Sequence, residues 1–214
     1  MDVLVDLDGT LIDPKPGIIG SIQYALRRLG APVPQAEELG WAIGPPLRAT
    51  FPRLLDDPRA TEDAVSLYRE SYRNGAMFDA IVYDGVVEAL DDLSGSGCRL
   101  IVATSKPHVF ARPVLEHFGL AGRFSAVHGA ELDGRNDSKI DLLAHVVACE
   151  GVVPSRAVMI GDREFDVVAA ARNGIQAVGV TWGYGSVAEL QTAGAAAICE
   201  APSSLARTAL SLLV

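Results

Sequence analysis

The sequence predicts a doubly wound α/β domain (a Rossmann-like core) carrying an inserted all-helical domain. Three observations predict it. Short apolar, β-branched runs recur along the chain. Helical periodicity fills most of the intervals between them. One interval, after the first run, is far too long for a simple connection and has helical patterns of its own.

The runs are Val3–Val5, Leu100–Ala103, Ala126–His128, Ala157–Ile160, Ala177–Val180 and Ala196–Ile198. They are apolar on both faces, as strands of a buried parallel sheet are. Helical patterns occupy 85–96, 107–118, 138–150, 163–173 and 186–193, and an amphipathic stretch closes the chain from Ser203 to Leu213. Strands alternating with helices give a parallel sheet covered on both faces. Connections in such folds run to about 2–6 residues. Here residues 14–83 separate the first strand from the next core helix. Within them, Ile18, Ile22, Ala25, Leu26 and Leu29 fall at helical spacing in Gly17–Leu29, and Val65, Leu67, Tyr68 and Tyr72 do so in Thr61–Tyr72. The predicted division is a discontinuous core, 1–13 with 84–214, and a helical insertion, 14–83. The hinges are Pro14–Pro16 and Ile81–Asp84.

Composition narrows the function classes. The chain has 214 residues, 49 % hydrophobic and 21 % charged, with a formal net charge of -9. No run of Lys or Arg offers the basic stripe of a nucleic-acid binder. The acidic balance also disfavours anionic membranes. No apolar stretch is long enough to span a bilayer, and Met1-Asp2 leads straight into a strand, so no signal peptide is expected. Cys98, Cys149 and Cys199 are odd in number and far apart. They read as small hydrophobes rather than zinc ligands or disulfides, which suggests a cytoplasmic setting.

Four groups of residues carry candidate chemistry. The first strand ends in Asp6-Leu7-Asp8-Gly9-Thr10, which puts two carboxylates on one side of the strand before a sharp turn. Paired carboxylates are costly unless a cation lies between them, and Mg²⁺ suits such ligands. The second strand ends in Thr104-Ser105-Lys106, whose hydroxyls and amides suit phosphate at a helix start. Lys139 opens a helix, where a cation opposes the helix dipole; a bound phosphate would supply a reason. The fourth strand ends in Gly161-Asp162, with Asp166 one helical turn on. Each group alone has an ordinary reading as a turn, a cap, a solvated lysine or dipole-favoured acids. All four fall at the carboxyl ends of strands, where doubly wound sheets bind ligands. Together they supply nucleophile, acid/base, phosphate donors and metal ligands, a complete set for phosphoryl transfer.

The pattern resembles the haloacid-dehalogenase superfamily over essentially the whole chain. Its four motifs match in order: Asp6-x-Asp8-Gly9-Thr10, Thr104, Lys139 and Gly161-Asp162-x-x-x-Asp166. Ile43-Gly44-Pro45-Pro46-Leu47, Thr104-Ser105-Lys106-Pro107, Leu132-Asp133-Gly134 and Gly183-Tyr184-Gly185 are similar to the subgroup of phosphoglycolate phosphatases and 5′-nucleotidase-like enzymes. The chain departs at Val5, Ser105 and Ile140, where an aromatic, an Asn and a Pro are common.

The resemblance implies a Mg²⁺-dependent phosphatase. Asp6 is the expected nucleophile and Asp8 the general acid/base. Asp6, Asp8 (through its carbonyl), Asp162 and Asp166 are the expected metal set. Gly9, Thr10, Thr104, Ser105 and Lys139 are expected around the phosphate, with Gly44, Pro45 and Arg48 reaching it from the helical cap. Trp182 and Tyr184 either flank the site or belong to the core. His108, His117, His128 and His145 read as structural. The expected partner is a small phosphorylated metabolite. A monomer is expected, with a homodimer as the alternative. A phosphomutase shares all four motifs; a receiver-like phospho-acceptor or a non-catalytic binder of phosphometabolites remain further readings, and a dehalogenase has no need of Asp8.

Overall fold

The computed structural model describes residues 1–213. Strand β1 (Asp2–Val5) leads through a tight loop to β2 (Ile12–Asp13). Helices α1 (Lys15–Leu29), α2 (Leu47–Thr50) and α3 (Thr61–Arg73) follow, and then β3 (Ile81–Val82). From there helices and strands alternate: α4 (Val86–Gly95), β4 (Arg99–Pro107), α5 (His108–His117), β5 (Ala126–Ala130), α6 (Lys139–Glu150), β6 (Ala157–Gly161), α7 (Glu164–Arg172), β7 (Gln176–Val180), α8 (Val187–Ala193), β8 (Ala197–Cys199) and α9 (Leu205–Ser211).

Six strands form one sheet in the order β5-β4-β1-β6-β7-β8, every pair parallel. The fold is the doubly wound α/β class. The chain builds outward from β1 to β4 and β5, then crosses back over β1 to β6. That reversal leaves the carboxyl end of β1 between those of β4 and β6, at the switch point where such sheets bind ligands.

The core follows from strand alternation. Leu4, Ile101, Ala103, Met159 and Ala177 meet Leu142, Leu143 and Val146 of α6, Val167 and Ala170 of α7, and Leu190 of α8. Successive side chains point to opposite faces, so Val3, Val5 and Val102 face the layer of α4, α5 and α9, where α4 packs on α9.

The chain divides into two compact units, Met1–Asp13 with the described residues from Val82 onward, and Pro14–Ile81. The second unit is helical. Ile18, Ile22, Ala25 and Leu26 of α1 are buried, and α1 packs on α3. Phe51 meets Tyr68 edge-on at 6.4 Å, and Tyr68 stacks on Tyr72 at 5.3 Å. Among the described residues, no helix is long and apolar enough to cross a membrane.

One boundary differs from the sequence reading by a single residue: β4 runs through Thr104-Ser105-Lys106 as expected and also takes in Pro107, where the helix was expected to begin, with a register shift against β5 between Thr104 and Pro107. Proline forces the residue before it into extended backbone, so Lys106 stays in the strand and the helix starts at His108.

Leu142 is fully buried on α6, whereas Ile140 on the same helix is 38 % exposed. Leu142→Ala should cost about 2–5 kcal/mol in urea unfolding, and Ile140→Ala less than about 0.5 kcal/mol. Equal losses would contradict the assigned helix face.

Candidate active site

Asp6 and Asp8 leave the end of β1, where Leu7 is buried and the chain turns at Gly9. Gly9 has φ +83, and a Cβ there would overlap the Asp162 carboxylate. The turn closes on itself: the Gly9 N–H donates to the Ile12 carbonyl at 2.8 Å, and the Thr10 N–H to the Leu7 carbonyl at 3.3 Å. Gly183 makes a second close approach, since a Cβ on it would overlap both the Gly9 carbonyl and Asp162. Only residues without side chains let these loops meet around Asp162.

Three buried carboxylates converge. Oxygens of Asp6, Asp162 and Asp166 all lie within 4.8 Å of one another. Lys139, the first residue of α6, reaches Asp6 Oδ1 at 2.7 Å and Asp166 Oδ1 at 2.8 Å. The second contact is an ion pair too poorly aligned to count as a hydrogen bond. Asp166 Oδ2 accepts from the Arg163 N–H at 3.2 Å. Asp162 Oδ2 accepts from the Tyr184 N–H at 2.7 Å, and its Oδ1 faces the Thr10 hydroxyl at 3.5 Å.

Asp8 stands apart. Its Oδ1 lies 2.8 Å from Lys106 Nζ, and the two side chains are 12 % and 4 % exposed. The Lys106 N–H donates to Thr104 Oγ1 at 3.2 Å. Gly129 of β5 allows the bulged end of β4 to pass, because a Cβ there would overlap the Lys106 carbonyl.

Burial governs the electrostatics. It pushes the Asp162 carboxyl well above the ordinary carboxylate range, and the nearby Asp166 and Asp6 add to the rise. Burial also raises Asp166 against the opposing pull of Lys139. It raises Asp8 against the pull of Lys106. For Lys139, burial opposes the charge, and the carboxylates of Asp166 and Asp6 outweigh it, so the ammonium is held firmly protonated. Four carboxylates thus face two ammonium groups, an excess that a divalent cation balances. Hard oxygen ligands in this number suit Mg²⁺, and Asp6, Asp162 and Asp166 are the side chains that would hold it.

The structure brings together Asp6, Asp8, Thr10, Thr104, Lys106, Lys139, Asp162 and Asp166. The Asp8 carboxylate is outside the three-carboxylate cluster. The Gly9 and Thr10 amides close the turn after β1, and the Thr10 hydroxyl faces Asp162. Lys139 needs no phosphate to explain its place at a helix start, since two carboxylates meet it there. Thr104 caps no helix; it is buried in β4 and accepts from the Lys106 amide. Ser105 is half-buried beside it. Gly44, Pro45 and Arg48 lie in the other unit, where Arg48 forks onto Glu62 at 2.7 and 3.1 Å.

One feature was missed in the sequence: the pairing of Lys106 with Asp8, which only the neighbouring of β1 and β4 reveals. The loop after β7, whose Trp182 and Tyr184 the sequence leaves either flanking the site or entering the core, shows its contacts in the structure. The Trp182 indole N–H donates to the Thr10 carbonyl at 3.0 Å, and the Tyr184 hydroxyl donates to Asp13 Oδ1 and shares a hydrogen bond with Tyr83. This loop fastens Asp162 and the turn after β1 to each other.

The chain is similar to known proteins. The model of the haloacid dehalogenase-like hydrolase family matches residues 3–180. A 5′-nucleotidase of Pseudomonas aeruginosa is 45 % identical over 192 residues, covering 89 % of this chain and 86 % of that protein. The tyrosine-protein kinase PtkA of Mycobacterium tuberculosis is 43 % identical over 183 residues, covering 86 % of this chain and 62 % of that protein. The crystal structure of a predicted phosphatase from Clostridium acetobutylicum superposes with a TM-score of 0.93 at 39 % identity, covering 98 % of this chain and 97 % of that one.

The raised carboxylates give a test in the metal-free protein. Asp162 and Asp166 hold protons more tightly folded than unfolded. Their contribution to stability is full below the ordinary carboxylate range and is lost as pH rises through the raised folded values. EDTA-treated protein should lose this contribution as pH rises from the ordinary carboxylate range through the Asp166 value of about 6, a loss that the Asp166→Asn variant should not show. Asp162→Asn should raise the neutral-pH Tm of the metal-free protein and reduce its gain with Mg²⁺. A metal-free variant less stable than its parent would contradict the charge excess.

Proposed function

The chain belongs to the haloacid dehalogenase-like hydrolase family, and we propose that within it this protein is a Mg²⁺-dependent phosphomonoesterase acting through an aspartyl-phosphate on Asp6. The favoured substrate class is a nucleoside monophosphate, after the 5′-nucleotidase relative; phosphoglycolate and sugar phosphates are the alternatives. The observation that carries the reading is the division of labour at the end of β1. Asp6 sits in the carboxylate cluster, while Asp8 is held apart on Lys106.

In this reading an Asp6 oxygen attacks phosphorus and the bond to the leaving oxygen breaks. Asp8 gives that oxygen its proton, for which a carboxyl raised by burial is suited. Asp8 then takes a proton from the water that attacks the aspartyl-phosphate, releasing phosphate and restoring Asp6. Bound Mg²⁺ supplies neutralisation of charge between Asp6 and the phosphoryl group. Lys139, 2.7 Å from Asp6, adjoins the arriving phosphoryl oxygens. Thr104 and the Ser105 amide are the further donors at that strand end. Phosphoryl transfer depends mainly on such positioning and electrostatics. Three free cysteines, two of them buried, fit a cytoplasmic location.

A second reading is phosphoryl transfer to a protein tyrosine, favoured by the likeness to PtkA. That relative is longer than this chain, which spans 62 % of it.

Nucleoside monophosphates, phosphoglycolate, hexose phosphates and a nitrophenyl ester, assayed for free phosphate with and without Mg²⁺, test the proposal. Release should require Mg²⁺ and fall by about a thousand-fold or more in Asp6→Asn. No release from any ester, by protein that binds Mg²⁺ calorimetrically, would overturn it. Phosphotyrosine formed from ATP on a protein substrate would then favour the second reading.

A further inference from the structure

Asp6 and Asp8 are chemically alike and lie two residues apart just after β1. A divalent cation next to Asp6 attracts both. A carboxylate engaged by the cation is poorly placed to shuttle a proton, so the reaction needs one of the two kept away.

We propose that Lys106 is a positioning residue that withholds the Asp8 carboxylate from the cation site and reserves it for proton transfer; this rests on the function proposed above. The geometry supports it at three levels. Lys106 Nζ is 2.8 Å from Asp8 Oδ1 and nearly enclosed, and the Asp8 oxygens are not among those clustered with Asp6, Asp162 and Asp166. Drawing Asp8 toward the cation would pull apart a buried ion pair, which is unfavourable. The backbone is shaped to deliver this lysine. Pro107 holds Lys106 in extended backbone, the register shift turns it, Gly129 makes room, and Thr104 accepts its amide.

The two lysines therefore sort the four carboxylates. Lys139 gathers Asp6 and Asp166, and Lys106 separates Asp8.

Lys106→Met keeps length and apolar stem while removing the charge. Calorimetric titration of the full chain with Mg²⁺ alone should show several-fold tighter binding than the parent, because Asp8 is freed to join the cation. Turnover of the best ester should fall by about a hundred-fold with KM little changed. Asp8→Asn in the Lys106→Met background should return Mg²⁺ affinity to the parent's. Lys106→Gln, which retains a donor, should recover part of the turnover. Unchanged or weaker Mg²⁺ binding in Lys106→Met would overturn the proposal. So would a raised KM with kcat intact, which would place Lys106 on the substrate's phosphoryl group. The Mg²⁺ titration needs no turnover, so it decides the role of Lys106 even if the parent hydrolyses none of the esters tested.

Discussion

Lys139 ties together three elements that the chain reaches at widely separated times. It starts α6, pairs with Asp6 at the end of β1, and pairs with Asp166 in the first turn of α7. All three groups are buried. Breaking a buried ion pair from one side costs about 3–5 kcal/mol, because the remaining charges are stranded. The pairing thus serves position more than stability. It holds Asp6 beside the Asp162 and Asp166 carboxylates and sets positive charge against the proposed nucleophile.

That arrangement works only because the sheet reverses direction at β1. The reversal sets β4 and β6 on either side of it and brings Lys106 and Asp162 to the same edge. Close packing then fixes the loops. Gly9 and Gly183 let two turns touch around Asp162, and Trp182 and Tyr184 hold them there. The cost is concentrated like charge. Burial and mutual repulsion raise the Asp162 and Asp166 carboxyls, a strain that a bound cation would relieve. Such strain at a functional site is commonly offset elsewhere in a fold; here the apolar sheet and its two helical layers are available to do so.

The parallel sheet was legible in the sequence because its strands are buried on both faces and read as unbroken apolar runs. Asp6, Asp8, Lys139, Asp162 and Asp166 were legible because each ends a strand or opens a helix. What each residue does there was less so. The segment from Gly30 to Thr61 in the insertion holds short 3₁₀ turns, and prolines at 32, 34, 45, 46, 52 and 58 erase any long periodicity. The roles of Gly9 and Thr10 turned on a backbone turn that consumes its own amides. Lys106 depended on a bulge and on a glycine in the neighbouring strand, and Tyr184 on a partner, Asp13, far away in sequence. Local patterns locate chemistry at the strand ends; long-range packing decides which charge meets which.

The central claim is that Asp6 carries the phosphoryl group while Asp8 moves protons. Mass spectrometry of acid-quenched Asp8→Asn protein, mixed with Mg²⁺ and a nitrophenyl phosphate, tests it most directly. This leaving group departs without a proton, so the first step should survive the substitution and the second should stall. A phosphoryl adduct should appear on the peptide containing Asp6, accumulating with a burst of nitrophenol. Steady nitrophenol release with no adduct, or an adduct on any other residue, would contradict it.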